Sequence, residues 1–159
     1  MLTNTDNLVV SSSPHIRTAT TISSAMRDVL IGLTPALIMS LYYFRLAALG
    51  VILVSVLTAV LSEYIFQRLT KQEVTINDYS AAVTGLLLAF TLPPNLPLWM
   101  AAVGAVAAII IAKQIFGGLG NNIFNPALIG RAILVASWPA AMTTWISPID
   151  GVTTATPLG

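Results

Sequence analysis

Tyr79-Ser-Ala-Ala-Val-Thr-Gly-Leu-Leu-Leu-Ala-Phe-Thr-Leu-Pro-Pro-Asn-Leu-Pro-Leu-Trp-Met-Ala-Ala-Val-Gly-Ala-Val-Ala-Ala-Ile-Ile-Ile-Ala112 is a run of 34 residues without a single Asp, Glu, Lys or Arg. A helix needs about 20 mostly apolar residues to cross the hydrocarbon core of a bilayer. The run is therefore too long for one crossing. Pro93, Pro94, Asn95 and Pro97 cut it near the middle, because proline removes a backbone donor and sets the residue before it outside the helical region. The reading is two helices, one near Tyr79–Leu92 and one near Leu98–Phe116.

The same punctuation extends outward in both directions. Upstream, Val29–Phe44 and Leu46–Ser62 are uncharged intervals of 16 and 17 residues separated by Arg45 alone. Downstream, Gln114–Gly130 and Ala132–Ile149 are uncharged over 17 and 18 residues. From these a fifth helix is predicted from about Phe124 to about Ala141. The expected fold is thus an all-α membrane protein of about five transmembrane helices. Three parts follow: a polar tail over 1–27, a helical membrane domain over 28–149, and a terminal segment over 150–159.

Composition agrees with this. Charged residues are 8% of the chain, against roughly 25% in soluble domains. Seven Lys and Arg face six Asp and Glu, for a net charge of +1, so there is no basic surplus to recognise nucleic acid. Cysteine is absent and His15 is the one histidine. An iron–sulfur cluster or a Cys/His zinc site cannot be built from this chain alone, so redox work would need an organic cofactor or a partner's metal.

Orientation follows from Lys and Arg. With the tail on the cytoplasmic side, that side receives Arg17, Arg27, Arg68, Lys71 and Lys113, and the other side receives Arg45. An odd number of crossings then delivers Asp150–Gly159 outside.

Four ionisable groups fall within or beside the apolar intervals. Glu63 and Asp78 read as interfacial, with Asp78 placed to cap the helix that follows. Lys113 reads as a side chain that snorkels to the inner headgroups. Arg131 lies five residues past Pro126, deep enough to need an anionic partner or a wet cavity unless its helix starts shallow and it acts as an anchor. Gly117-Gly-Leu-Gly-Asn-Asn122 and Asn125-Pro126 precede it. They form either a tight turn with an Asn cap and a first-turn proline or a broken helix whose amino-terminal end faces an anion.

The final ten residues differ from all the rest. Asp150-Gly-Val-Thr-Thr-Ala-Thr-Pro-Leu-Gly159 is small, polar and rich in hydroxyls. It reads as a solvated turn or as an acceptor for covalent modification.

Taken in order, Ser12-Ser-Pro-His15, Asp78-Tyr-Ser-Ala, Thr84–Phe90, Leu92-Pro-Pro94, Lys113 with Gly117-Gly-Leu-Gly-Asn121, Phe124-Asn-Pro-Ala127 and Asp150–Leu158 resemble the NqrB/RnfD family. These are membrane subunits of ion-translocating electron-transport complexes, and the resemblance covers essentially the whole chain. It implies a urea-transporter-like fold of two inverted repeats, of which this chain is the amino-terminal one. It implies FMN attached by a phosphoester to Thr156 through the work of a separate flavin transferase. Asp150 and Ala155 would be the other marked positions of the attachment motif, and Thr154 stands where glycine is usual. It further implies residence in a prokaryotic cell membrane, partnership with the other subunits of an Rnf-type complex, and electron transfer coupled to Na+ or H+. The chain would then be a flavoprotein subunit of a translocase, not catalytic alone. The competing function is half of a permease or channel without redox chemistry.

Overall fold

The structure is a computed structural model that describes residues 21–147 and the backbone of 153 and 154. The first element, α1, covers Ile22–Leu69. Thr21 caps it, its hydroxyl accepting from the Ser24 amide while the Ser24 hydroxyl accepts from the Thr21 amide. Helix therefore begins within the last residues of the polar 1–27 stretch.

Drawn straight, 48 residues would extend about 72 Å, yet the two ends of α1 lie side by side. Ser23 donates its hydroxyl to the Asn77 carbonyl, and Ile22 and Gln67 line one cavity. Arg45 makes this possible, with φ 51° and ψ −131° between helical neighbours. The element is a hairpin of two antiparallel arms, 22–44 and 46–69, each about 35 Å long and so long enough to cross a bilayer. The single charged residue that divided two apolar intervals in the sequence is the residue at which the chain reverses. Ile31, Ile38, Leu46, Leu53, Leu57 and Leu61 are exposed along these arms, an apolar surface suited to lipid.

The chain returns through a short 3-10 turn, Ile76–Asp78, into α2, Ser80–Thr91. This helix packs against the second arm closely enough to need Gly85. A Cβ there would sit 2.7 Å from the Val56 Cα and 2.8 Å from the Ser55 carbonyl oxygen. The proline-rich segment then turns the chain, and α3 runs over Leu98–Ile109 and continues without a break as a π-helical turn, Ile110–Gln114.

Gly117, Gly118 and Gly120 take positive φ in the turn leading to α4, Pro126–Ser137. Asn125 caps α4 by accepting from the Ala127 amide, with Pro126 in the first turn, so the turn-and-cap reading of this loop holds. Gly130 lets α4 cross α3 at the Gly104 carbonyl, which a Cβ at 130 would approach to 2.7 Å.

The fifth helix is shorter than expected. It ends at Ser137, Trp138 adopts φ −137° and ψ 64°, and a separate helix α5 covers Pro139–Thr143. Pro139 is the cause, because it disfavours the α region for the residue before it. With 12 residues each, α2 and α4 are about 18 Å long and do not cross the hydrocarbon core alone. Among the described residues, then, five full crossings become a two-armed hairpin, one long helix and two half-length helices. A two-residue antiparallel pairing, β1 (Trp145–Ile146) with β2 (Thr153–Thr154), completes the fold. The sequence carried no sign of it.

The molecule has two distinct ends. Ile22, Gln67, Asp78, Gln114 and Gly117 gather at one. Phe44, Pro94 and Trp145 gather at the other, with Tyr43, Asn95 and Ile146 beside them. The start of α1 and the β1–β2 pair therefore lie at opposite ends.

Candidate functional site

At the end that holds Ile22 and Gln67, the sequence places polar residues on three elements, and the fold buries them together. Glu63 on the second arm is 0% exposed and Lys113 on the π turn 2%. The Lys113 ammonium donates to both Glu63 carboxylate oxygens at 2.8 Å and to the Ser80 hydroxyl at 2.6 Å. All three of its donors are satisfied.

The Glu63 Oε1 also accepts from the side-chain amides of Gln114 at 2.9 Å and Gln67 at 3.2 Å. Gln67 continues to Thr75, donating to its hydroxyl and accepting from its amide. Ser80 in turn donates to the Asp78 carboxylate, which also takes the Ser80 amide. Asp78 thus takes the first amide of α2 from one position ahead of the cap, which is Tyr79 rather than the expected Asp78.

Two expectations are overturned here. Glu63 is not interfacial, and Lys113 does not snorkel outward. The reason is the π turn, in which the Ile115 amide donates to Ile110 and one extra residue is wound into the helix. That aims both Lys113 and Gln114 at Glu63, as π turns at polar sites often do. No residue type in Ile110-Ile-Ala-Lys-Gln114 announces such a turn, so the cluster was invisible in the sequence. A polar cavity of about 230 Å³ adjoins it, lined in part by Glu73, Asp78, Gln72 and Gln114. Among the described residues no group of three or more His, Cys, Asp or Glu could hold a metal ion.

Arg131 sits apart from this cluster. It is half-buried and its guanidinium donates to the Thr91 carbonyl at the carboxyl-terminal end of α2, where the helix dipole is negative. Its observed partner is a carbonyl, which a planar multi-donor group suits.

At the opposite end, Trp145 is paired with Thr154 and Ile146 with Thr153, which fastens the hydroxyl-rich segment to the main body. Asp150, Ala155 and Thr156, the residues assigned to flavin attachment, lie outside the described residues, as does His15.

Comparison with known proteins decides the family. The sequence profile of the NQR2, RnfD, RnfE family matches residues 9–159. The chain belongs to this family. Among its relatives is a subunit of the Na(+)-translocating ferredoxin:NAD(+) oxidoreductase complex of Acetobacterium woodii. It is 53% identical over 154 residues, covering 96% of this chain and 48% of that protein. The corresponding subunit of the proton-translocating ferredoxin:NAD(+) oxidoreductase complex of Clostridium ljungdahlii is 50% identical over 154 residues, covering 94% of this chain and 46% of that protein. Its counterpart in the ion-translocating oxidoreductase complex of Salmonella typhimurium is 43% identical over 143 residues, covering 89% and 41%. The chain spans somewhat less than half the length of these relatives. The match to the NQR2, RnfD, RnfE family takes in the helical body, the buried ion pair and the terminal hydroxyl-rich segment.

Proposed function

We propose that this chain forms the flavin-bearing part of a membrane subunit in an ion-translocating ferredoxin:NAD oxidoreductase of the Rnf type. The observation that carries the reading is the terminal Asp150–Thr156 segment, whose residues Thr153 and Thr154 are held by β1 at the end of the fold opposite the start of α1. Relatives named as subunits of such complexes support it. In this reading the Thr156 hydroxyl is esterified by a flavin transferase, and Asp150 and Ala155 are recognition positions. When bound there, FMN supplies one-electron chemistry, while the protein contributes position and electrostatics. The β1 anchor fits that role, since it limits how far a group on Thr156 can travel. A permease half has no use for such an acceptor, so flavin fluorescence from the denatured full-length protein, made together with a flavin transferase, separates the two functions. A dark band would favour the permease.

Relatives named for sodium and for protons are 53% and 50% identical to the chain, so overall similarity does not select between the ions. The proposed orientation places Ile22, the Arg68–Asp78 connection and the buried ion pair toward the cytoplasm and residues 150–159 outside. It rests on the Lys and Arg bias and on the opposite placement of the two ends. Cysteine is absent, so single cysteines can be read without background. In intact cells an impermeant thiol reagent is expected to label position 151 and not position 72. The reverse pattern would invert the assignment.

Arg131 is the proposed functional charge of the helical body. Its fork reaches the end of α2, next to Phe90 and Leu92 of the cavity near β1. Arg131→Lys in the full-length complex is expected to slow coupled electron transfer roughly tenfold, about 1.4 kcal/mol of barrier, because lysine keeps the charge and loses the fork. An unchanged rate would make Arg131 an anchor.

A further inference from the structure

Each partner of the buried ion pair continues, through one further side chain, to the short turn between the second arm of α1 and α2. From Glu63 the path runs through Gln67, which donates to the Thr75 hydroxyl at 2.8 Å and accepts from the Thr75 amide at 3.0 Å. From Lys113 it runs through Ser80, whose hydroxyl accepts from the ammonium and donates to Asp78. A tether also comes from the start of α1, where Ser23 donates to the Asn77 carbonyl. The segment is thus held at Thr75, Asn77 and Asp78, and the first and last of these tethers lead to one ion pair. Its backbone adds only the tight bonds from the Asp78 amide to Thr75 and from the Tyr79 amide to Ile76. Tyr79 closes it at φ 61°, a conformation that strains a bulky side chain. A turn built this way depends on what grips it from outside.

We propose that the π turn and the Glu63–Lys113 pair form a latch that sets the Ile76–Asp78 turn. In one state the pair is closed, and in the other the helix has returned to α register and the pair is open. The π turn, Ile110–Gln114, is the element with two arrangements. Successive residues of an α-helix lie about 100° apart around its axis, so loss of the extra residue swings Lys113 and Gln114 off Glu63 together. The slack lies just downstream. The Gly117 and Gly118 amides close the π turn by donating to Gln114 and Lys113, and a Cβ at Gly118 or Gly120 would meet open space.

Room for the swing lies alongside. Gln67, Thr75, Asp78, Gln114, Gly117 and Gly118 line the same cavity of about 230 Å³, so latch, hinge and turn border one space. With the pair open, Gln67 and Ser80 lose the partners that orient them, and the turn is released. Lys71, Gln72 and Glu73 lead into it and are exposed, so the change reaches the surface. By linkage the influence is reciprocal: whatever grips the turn from outside also favours the closed pair. An ion pair that only staples three helices together is the competing role, and the latch stands independently of the flavin reading.

Amide hydrogen exchange of the full-length protein in detergent, followed by mass over peptides covering residues 70–80, separates the two roles. Glu63→Gln combined with Lys113→Met opens the latch while Gln67, Thr75, Asp78 and Ser80 stay in place. Deletion of Ile111, which is 48% exposed and so outside the core, straightens the π turn and keeps every latch side chain. Both variants are expected to speed exchange over Thr75–Ser80 about tenfold, the scale of one lost hydrogen bond. Exchange in the first arm of α1 and in α2 beyond Thr84 is expected to stay at the parent level. Either variant, folded yet unchanged over Thr75–Ser80, would overturn the latch and leave the pair a staple. A rise spread evenly over both arms and α2 would overturn it as well, because that reports general loosening. Should the deletion not fold, the double substitution decides alone.

Discussion

Thr156→Ala is expected to eliminate covalent flavin completely while the protein still inserts and folds. The hydroxyl at 156 is the one atom that can carry the ester in this reading, and no packing role is assigned to it. Thr153 and Thr154 engage β1 through their backbones, and in this reading they hold the segment while Thr156 carries the group. The full-length variant, made together with a flavin transferase, should give a non-fluorescent band after denaturation and the same thermal unfolding midpoint as the parent. Electron transfer through the assembled complex should fall to background. Thr154→Ala should retain flavin, because its strand bonds use no side-chain atom. A Thr156→Ala protein that kept its flavin would move the acceptor elsewhere.

The second large effect concerns the buried ion pair. Removing either partner alone, as in Glu63→Ala or Lys113→Ala, is expected to cost about 3–5 kcal/mol of stability, because it strands a charge in the interior. Both side chains are at most 2% exposed, so water cannot compensate the survivor. Ser80, Gln67 and Gln114 would lose a partner as well. Replacing both together, with Glu63→Gln and Lys113→Met, is expected to cost much less than the two single changes combined, since a neutral pair of similar volume needs no counter-charge. Chemical unfolding of the four proteins in detergent gives the coupling directly. Additive losses would show that the pair is not a unit.

Much of this arrangement is legible in the residues, for reasons that differ from one element to the next. Helix boundaries can be read where residue chemistry enforces them. Pro93 to Pro97 must interrupt a helix, the glycines at 117, 118 and 120 tolerate the positive φ they adopt, and Asn125-Pro126 is a cap followed by a first-turn proline. Arg45 is legible as a divider, but not as a one-residue reversal, because a positive φ at arginine is not something its side chain favours. The break at Trp138 is hidden because a single Pro139 stands inside a long uncharged interval that otherwise favours one continuous helix.

The polar cluster is illegible for a deeper reason. Glu63, Ser80 and Lys113 are 17 and 33 residues apart in sequence, and each alone resembles an ordinary interfacial residue. Their meeting depends on the face that the π turn presents and on the close crossing that Gly85 permits. Those are properties of packing between helices, which a pattern along one chain does not encode. The attachment residues are the reverse case. Asp150, Ala155 and Thr156 stand out through a motif, and the structure contributes the β1 anchor beside them.

The proposed flavin on Thr156, at the outer side of a membrane subunit, is tested most directly by peptide mass mapping of the full-length protein, made together with a flavin transferase and digested with trypsin. Cleavage after Arg131 isolates the segment that contains all three terminal threonines. This peptide is expected to carry one FMN, with fragmentation placing it on Thr156. An unmodified peptide, or FMN on Thr153 or Thr154, would contradict it.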